Sequence, residues 1–168
     1  MKKHIAIIAG AVATLATAHA QDFAAPYAKG TILANAALGF APGVGVAISG
    51  DYVLLDNVWV GHVTVGGQTF LSGRSYGSYK ESFFGIAPRA TYGINITNEI
   101  EAHAGILLGY QAWTDTYAST GNKYSYGSVL YGGLLGARYA FAENLAALFE
   151  VNYAGLAPYI NLGVTYKF

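Results

Sequence analysis

The chain has 168 residues, of which 54% are hydrophobic and only 11% charged, with 22 glycines, 14 tyrosines and no cysteine. That balance excludes a disordered chain, and 4 prolines among aperiodic glycines exclude a collagen-like one. Nine basic against nine acidic residues offer nothing to a polyanion, so no nucleic acid is expected as partner, and the lack of thiols removes disulfides, thiolate zinc and thiol catalysis.

Met1-Lys2-Lys3 is a short cationic start, residues 5–18 are apolar, and Ala18-His19-Ala20 is the small-x-small pattern that signal peptidase cuts. Residues 1–20 therefore read as a cleaved signal peptide, since the run is too short for a spanning helix of about 20 apolar residues. Residues 21–30 read as a periplasmic N-terminal segment and residues 31–168 as the domain. A chain starting at Gln21 keeps only His62 and His103 as histidines.

From residue 32 onward apolar residues recur at every second position, in eight segments. Ile32, Ala34, Ala36, Leu38 and Phe40 oppose Asn35 and Gly39. Val44, Val46, Ile48, Tyr52 and Leu54 oppose Ala47, Ser49 and Asp51. Trp59, Val63 and Val65 oppose His62, Thr64 and Gln68. Phe84, Ile86, Pro88, Ala90 and Tyr92 oppose Gly85, Arg89 and Thr91, with a bulge expected at Pro88 because proline removes a ladder donor. Ala102, Ala104, Ile106, Leu108 and Tyr110 oppose Glu101, His103, Leu107 and Gln111. Leu135, Ala137, Tyr139 and Phe141 oppose Leu134, Gly136 and Arg138. Leu145, Ala147, Phe149, Val151 and Tyr153 oppose Glu150 and Asn152. Ile160, Leu162, Val164, Tyr166 and Phe168 oppose Asn161, Gly163, Thr165 and Lys167.

One face of each segment is wholly apolar, and Asp51, Arg89, Glu101, Arg138, Glu150 and Lys167 all fall on the other. A soluble sandwich would instead solvate its outer face. A charge turned to lipid costs up to roughly 2–4 kcal/mol at the bilayer midplane, so this segregation predicts an all-β fold, an eight-stranded antiparallel up-and-down transmembrane β-barrel. Eight strands enclose a space that side chains fill, and buried charges need partners, which predicts a lumenal network of those six residues.

Short polar breaks at residues 55–57, 95–99 and 142–144 alternate with breaks at 41–43, 71–81, 114–127 and 155–157. Short turns face the periplasm in outer-membrane barrels, which puts both termini there and the longer breaks outside. The two long external breaks are rich in Tyr, Ser and Gly. Arg74, Tyr76, Tyr79 and Lys80 with Tyr117, Lys123, Tyr124 and Tyr126 form the expected adhesive surface, because Tyr gives contact area at low entropy cost. Outward aromatics gather near both strand ends, as in interfacial girdles.

The last eight residues, Asn161-Leu162-Gly163-Val164-Thr165-Tyr166-Lys167-Phe168, follow a pattern of polar-x-Gly-x-x-aromatic-x-aromatic. On these residues and the barrel pattern, the chain resembles the small eight-stranded outer-membrane proteins of Gram-negative bacteria, the OmpA- and OmpX-like barrels, some of which carry the description porin family. The resemblance implies that Asn161, Gly163, Tyr166 and Phe168 act as the assembly signal read by the barrel-assembly machinery, with periplasmic chaperones as earlier partners. It also implies contact with outer-membrane lipid and lipopolysaccharide, and no cofactor. The His-x-Ser arrangement of lipid A deacylases is missing, because Gly105 follows His103 by two. The expectation is a non-enzymatic protein that supports outer-membrane integrity and adheres to a host or surface ligand through its two longer loops. The alternative is a narrow porin-like channel for ions or small solutes.

Overall fold

The computed structural model describes residues 27–117 and 121–168. The expected signal peptide, residues 1–20, and residues 21–26 of the N-terminal segment lie outside the described residues. Eight strands follow in order: β1 Ile32–Phe40, β2 Val44–Val58, β3 Gly61–Tyr76, β4 Tyr79–Asn95, β5 Ile100–Tyr117, β6 Lys123–Ala142, β7 Leu145–Ala154 and β8 Ile160–Lys167. Each pairs antiparallel with the next, and β8 pairs with β1 from Leu33↔Lys167 to Phe40↔Ile160, so the sheet closes into a barrel with no free edge along its wall. The eight-stranded up-and-down barrel expected from the period-two pattern is the fold observed.

Burial follows the predicted parity strand by strand. In β7 every residue from Leu145 to Ala154 alternates exposed and buried, with Glu150 and Asn152 inside and Phe149, Val151 and Tyr153 outside. Asp51, Arg89, Glu101, Arg138 and Glu150 are all buried.

Three expectations about local structure need correction. Pro88 makes no bulge: β4 keeps one register with β5 from Ile86↔Tyr110 to Arg89↔Leu107, and Pro88 itself faces outward opposite Gly67. An interruption of two pairs is enough to absorb the missing donor. The turn expected at residues 55–57 lies instead at Trp59 and Val60, because β2 coils through register shifts between Val53 and Val58, with Asn57 at φ 54° and Trp59 at φ 56°. Trp59 is therefore a turn residue, 94% exposed, rather than the start of a strand.

The two long breaks are not loops over most of their length. β3 and β4 run on to a two-residue turn at Gly77-Ser78, flanked by the Tyr76↔Tyr79 pair, with Gly77 at φ 55° as a tight hairpin turn requires. β4 and β5 stay paired up to Tyr79↔Tyr117, and β5 and β6 up to Thr116↔Lys123. Four strands thus rise together beyond the barrel as one blade. On the other side β2 begins at Val44 and β7 ends at Ala154, so the rim is low there.

Candidate functional site

Three layers of side chains occupy the lumen. Toward the blade, Ala47, Phe70, Phe83, Ala87, Leu107, Leu130, Leu134, Ala154 and Ala157 form one apolar cluster, with Trp113 and Leu156 packed against it. Ala157 and Leu156 belong to the β7–β8 connection, which folds inward: the Leu156 backbone amide donates to Gln111 Oε1 at 2.7 Å. Phe70 lies over its cross-strand partner Gly85, and a Cβ at residue 85 would collide with the ring.

Below that plug the lumenal parity turns polar. Arg89 donates from Nε to Asp51 Oδ1 at 2.7 Å and from Nη2 to Asp51 Oδ2, a bidentate pair. Its Nη1 reaches Gln68 Oε1 and Glu150 Oε1, each at 3.1 Å. Arg138 Nη1 donates to both oxygens of Glu101 at 2.9 Å, and its Nη2 lies 3.3 Å from Asp51 Oδ2. His103 closes the circuit, with Nε2 3.1 Å from Glu150 Oε1 and Nδ1 3.5 Å from Glu101 Oε1. Asp51, Arg89, Glu150, His103, Glu101 and Arg138 therefore make an unbroken ring across five strands. His62 hangs from it, with Nε2 3.5 Å from Glu101 Oε1.

The ring is tied into the seam between the first and last strands. Thr165 donates to Asn35 Oδ1 at 2.6 Å, and Asn35 Nδ2 donates to Ser49 Oγ at 2.9 Å and Asp51 Oδ2 at 3.0 Å. Space for the ring comes from glycine. A Cβ at residue 93 would stand 2.5 Å from Glu101 Oε1 and 2.6 Å from His62 Cε1, and one at residue 136 would strike His103.

At the end bearing the termini, Tyr27 enters the lumen and packs edge-on against His62, ring centroids 5.3 Å apart, beside Leu33 and Val53. Burial, then the Glu101 charge, push its phenol up to about 12. The Lys29 backbone amide donates to Asp56 Oδ2 at 3.0 Å and that of Gly30 to the Val53 carbonyl at 3.0 Å, so the described part of the N-terminal segment is pinned as a stopper.

Of the six charges expected to meet, five do. Lys167 has the lumenal parity but sits half-buried at the rim, beside Glu143, Asn144 and Thr165, and among the described residues no carboxylate lies within ion-pair distance of it. It is the last residue of β8, too near the barrel end for its side chain to join the layer. Lys167→Met is accordingly expected to change unfolding free energy by no more than about 0.5 kcal/mol, read from denaturant unfolding in lipid vesicles. The two histidines were not expected in the network. The sequence signal for them was their parity, which placed both inside beside charges.

The expected adhesive residues converge on the blade. On the face continuing the lumen, Arg74 ion-pairs with Glu81, holding that carboxyl below its usual range, and its guanidinium lies 5.4 Å from the Tyr76 ring centroid. Tyr79 packs on Tyr117 at 5.0 Å, Tyr117 on Tyr124 at 6.1 Å, and Tyr126 stacks on Trp113 at 5.3 Å. On the opposite face, cross-strand pairing aligns Lys80, Thr116 and Lys123 in one row. Asn161 is buried in the lumen, Gly163 fits against the Ala36 and Ala37 backbone, and Tyr166 and Phe168 face outward with rings 4.7 Å apart.

Residues 5–168 match the family described as outer membrane protein beta-barrel domain. No curated protein matches the chain. Among solved structures, the N-terminal β-barrel domain of Pseudomonas aeruginosa OprF is similar with a TM-score of 0.62 at 16% identity, over 83% of this chain and 98% of that one. Neisserial surface protein A is similar with a TM-score of 0.51 at 19% identity, over 82% and 94%. A de novo designed transmembrane β-barrel is similar with a TM-score of 0.52 at 14% identity, over 84% and 98%. Likeness to a barrel made by design shows that similarity at this level reports the fold alone.

Proposed function

From the premise that this chain belongs to the outer membrane protein beta-barrel family, and so to the bacterial outer membrane, we propose that it is a closed, non-enzymatic barrel that strengthens the membrane and presents the blade as an adhesive surface. The observation that carries this reading is the filled lumen. An apolar plug, a charged ring and the Tyr27 stopper follow one another along the axis, so among the described residues side chains occupy the lumen at each level. The filling weighs against the channel reading.

The same layers argue against hydrolysis. His103 is buried with both ring nitrogens against carboxylates, and no serine hydroxyl partners it among the described residues. Nucleophilic catalysis needs a base within reach of its nucleophile. The asymmetry of the rim supports an orientation with the blade outside and both termini in the periplasm. The C-terminal residues Asn161, Gly163, Tyr166 and Phe168 serve the barrel-assembly machinery. Chaperones hold the chain before insertion, and lipopolysaccharide surrounds the outer half of the wall.

The blade gathers aromatic rings, one ion pair and two lysines on a hydrogen-bonded sheet, which suits contact with a surface ligand. Planar-bilayer recording of the purified barrel is expected to be silent. Cells displaying it are expected to bind host surfaces, and Tyr117→Ser with Tyr124→Ser to lower binding at least tenfold without altering the heat-modified gel shift. Steady single-channel conductance, or binding indifferent to those changes, rejects the reading.

A further inference from the structure

On the face of the blade that continues the lumen, cross-strand pairing sets Arg74 opposite Glu81, Glu81 opposite Asp115 and Asp115 opposite Tyr124. One row therefore reads cation, anion, anion, aromatic from β3 to β6. The row toward the tip is Tyr76, Tyr79 and Tyr117, and the row toward the barrel holds Phe83, Trp113 and Tyr126. Two carboxylates thus lie side by side between rows of rings. Like charges directly opposite each other destabilise a sheet, so each carboxylate calls for a cation.

Only Glu81 has one. Arg74 ion-pairs with it, and the same guanidinium lies 5.4 Å from the Tyr76 ring centroid and 5.6 Å from that of Phe83, one ring from each flanking row. Asp115 stands in a matching frame, with Trp113 and Tyr117 two residues away on the same face of β5 and Tyr124 across from it. Among the described residues no cation lies within ion-pair distance of Asp115. Lys80 and Lys123 belong to the opposite face of the sheet. The Tyr79 hydroxyl lies 3.5 Å from Glu81 Oε1 and hydrogen-bonds with Asp115, yet Asp115 Oδ1 is shielded from solvent and accepts no hydrogen bond. A carboxylate oxygen kept from water without a donor costs free energy that a partner's donor would recover.

We propose that Asp115 seats an arginine side chain of a basic partner peptide or protein, held as the chain's own Arg74 is held beside it. A guanidinium is planar, so it stacks on tyrosine and tryptophan faces while its N–H groups donate to the carboxylate. The rings around Asp115 are open to such a partner, with Tyr117 43% and Tyr124 50% exposed. Charge complementarity selects the occupant. This face carries two anions and one cation, and that cation is already engaged by Glu81, so a polyanion is disfavoured on it. The inference rests on the adhesive reading of the blade and names the chemistry of what the blade adheres to.

The test uses the full barrel in lipid nanodiscs, where both ends are open to solution, and fluorescein-labelled hexapeptides alternating serine with arginine, citrulline or glutamate. Fluorescence anisotropy is expected to show saturable binding of the arginine peptide, about tenfold weaker binding of the citrulline peptide, and none of the glutamate peptide. Asp115→Asn should weaken the arginine peptide about fivefold, the size expected of one exposed charge pair with its ring contact. Glu143→Gln removes the same charge in the turn between β6 and β7, at the far end of the barrel, and should leave binding unchanged. Heat-modified gel mobility shows first that both variants are folded. Equal binding of the arginine and citrulline peptides, preference for the glutamate peptide, no binding by the wild type, or wild-type affinity in Asp115→Asn would each overturn the proposal. Adhesion is read separately on cells displaying the barrel. Cells that bind host surfaces while the purified barrel ignores the arginine peptide reject this proposal alone, whereas cells that fail to bind reject the adhesive reading itself.

Discussion

Arg138→Met is expected to lower the unfolding free energy of the barrel by about 3–5 kcal/mol, the cost typical of breaking a buried ion pair from one side. Arg138 is the hub of the ring: it binds both oxygens of Glu101 and one of Asp51. Asp51 keeps its bidentate Arg89, but Glu101 is left with no cation other than the imidazoles of His62 and His103 at 3.5 Å, beside the Tyr27 phenol. The loss therefore concentrates on Glu101, and Glu101→Gln in the same chain should recover part of it by removing the stranded charge. Equilibrium unfolding of the two single variants and the double variant in lipid vesicles measures this coupling. Strict additivity would show that the ring is a set of independent solvated charges.

The second large effect concerns the apolar layer. Phe70→Ala is expected to cost about 3–5 kcal/mol, since it removes an almost fully buried aromatic side chain from the cluster over Gly85. Gly85→Val is expected to cost about 1–3 kcal/mol on its own, because the new side chain enters the space that the ring occupies. Combined, they should cost less than their sum, with the valine filling part of the cavity left by the phenylalanine. The cross-strand pair Phe70↔Gly85 is then one packing unit, and a double-mutant cycle is its direct readout. A sum without coupling would mean that the ring can move aside and that the plug is soft. The double variant offers a further check on the closed lumen, since a softened plug should admit ions in the same bilayer recording.

The barrel was legible because its alternation is written into every strand. Side chains of a strand point to opposite faces at each step, so the parity of Asp51, Arg89, Glu101, Arg138 and Glu150 could be read without knowing which strands touch. What parity does not contain is depth along the axis. Lys167 has the same parity as Glu150, yet it ends β8 at the rim while Glu150 lies mid-strand, and only Glu150 joins the ring. The blade was hidden for a related reason. In residues 71–81, 114–117 and 123–127 hydrophobic alternation fades, so Tyr, Ser, Gly and Lys read as loop although the ladder continues through Tyr76↔Tyr79 and Thr116↔Lys123.

The amino-acid order alone settled the number of strands, their facing and the apolar coat, because lipid penalises each misplaced charge locally and strand by strand. Which charges bond, that His62 and His103 sit among them, that Tyr27 stops the lumen, and that β6 outruns β7 depend on register and strand tilt. Those are set only when all eight strands close on one another, since each neighbour's offset is inherited by the next until β8 meets β1.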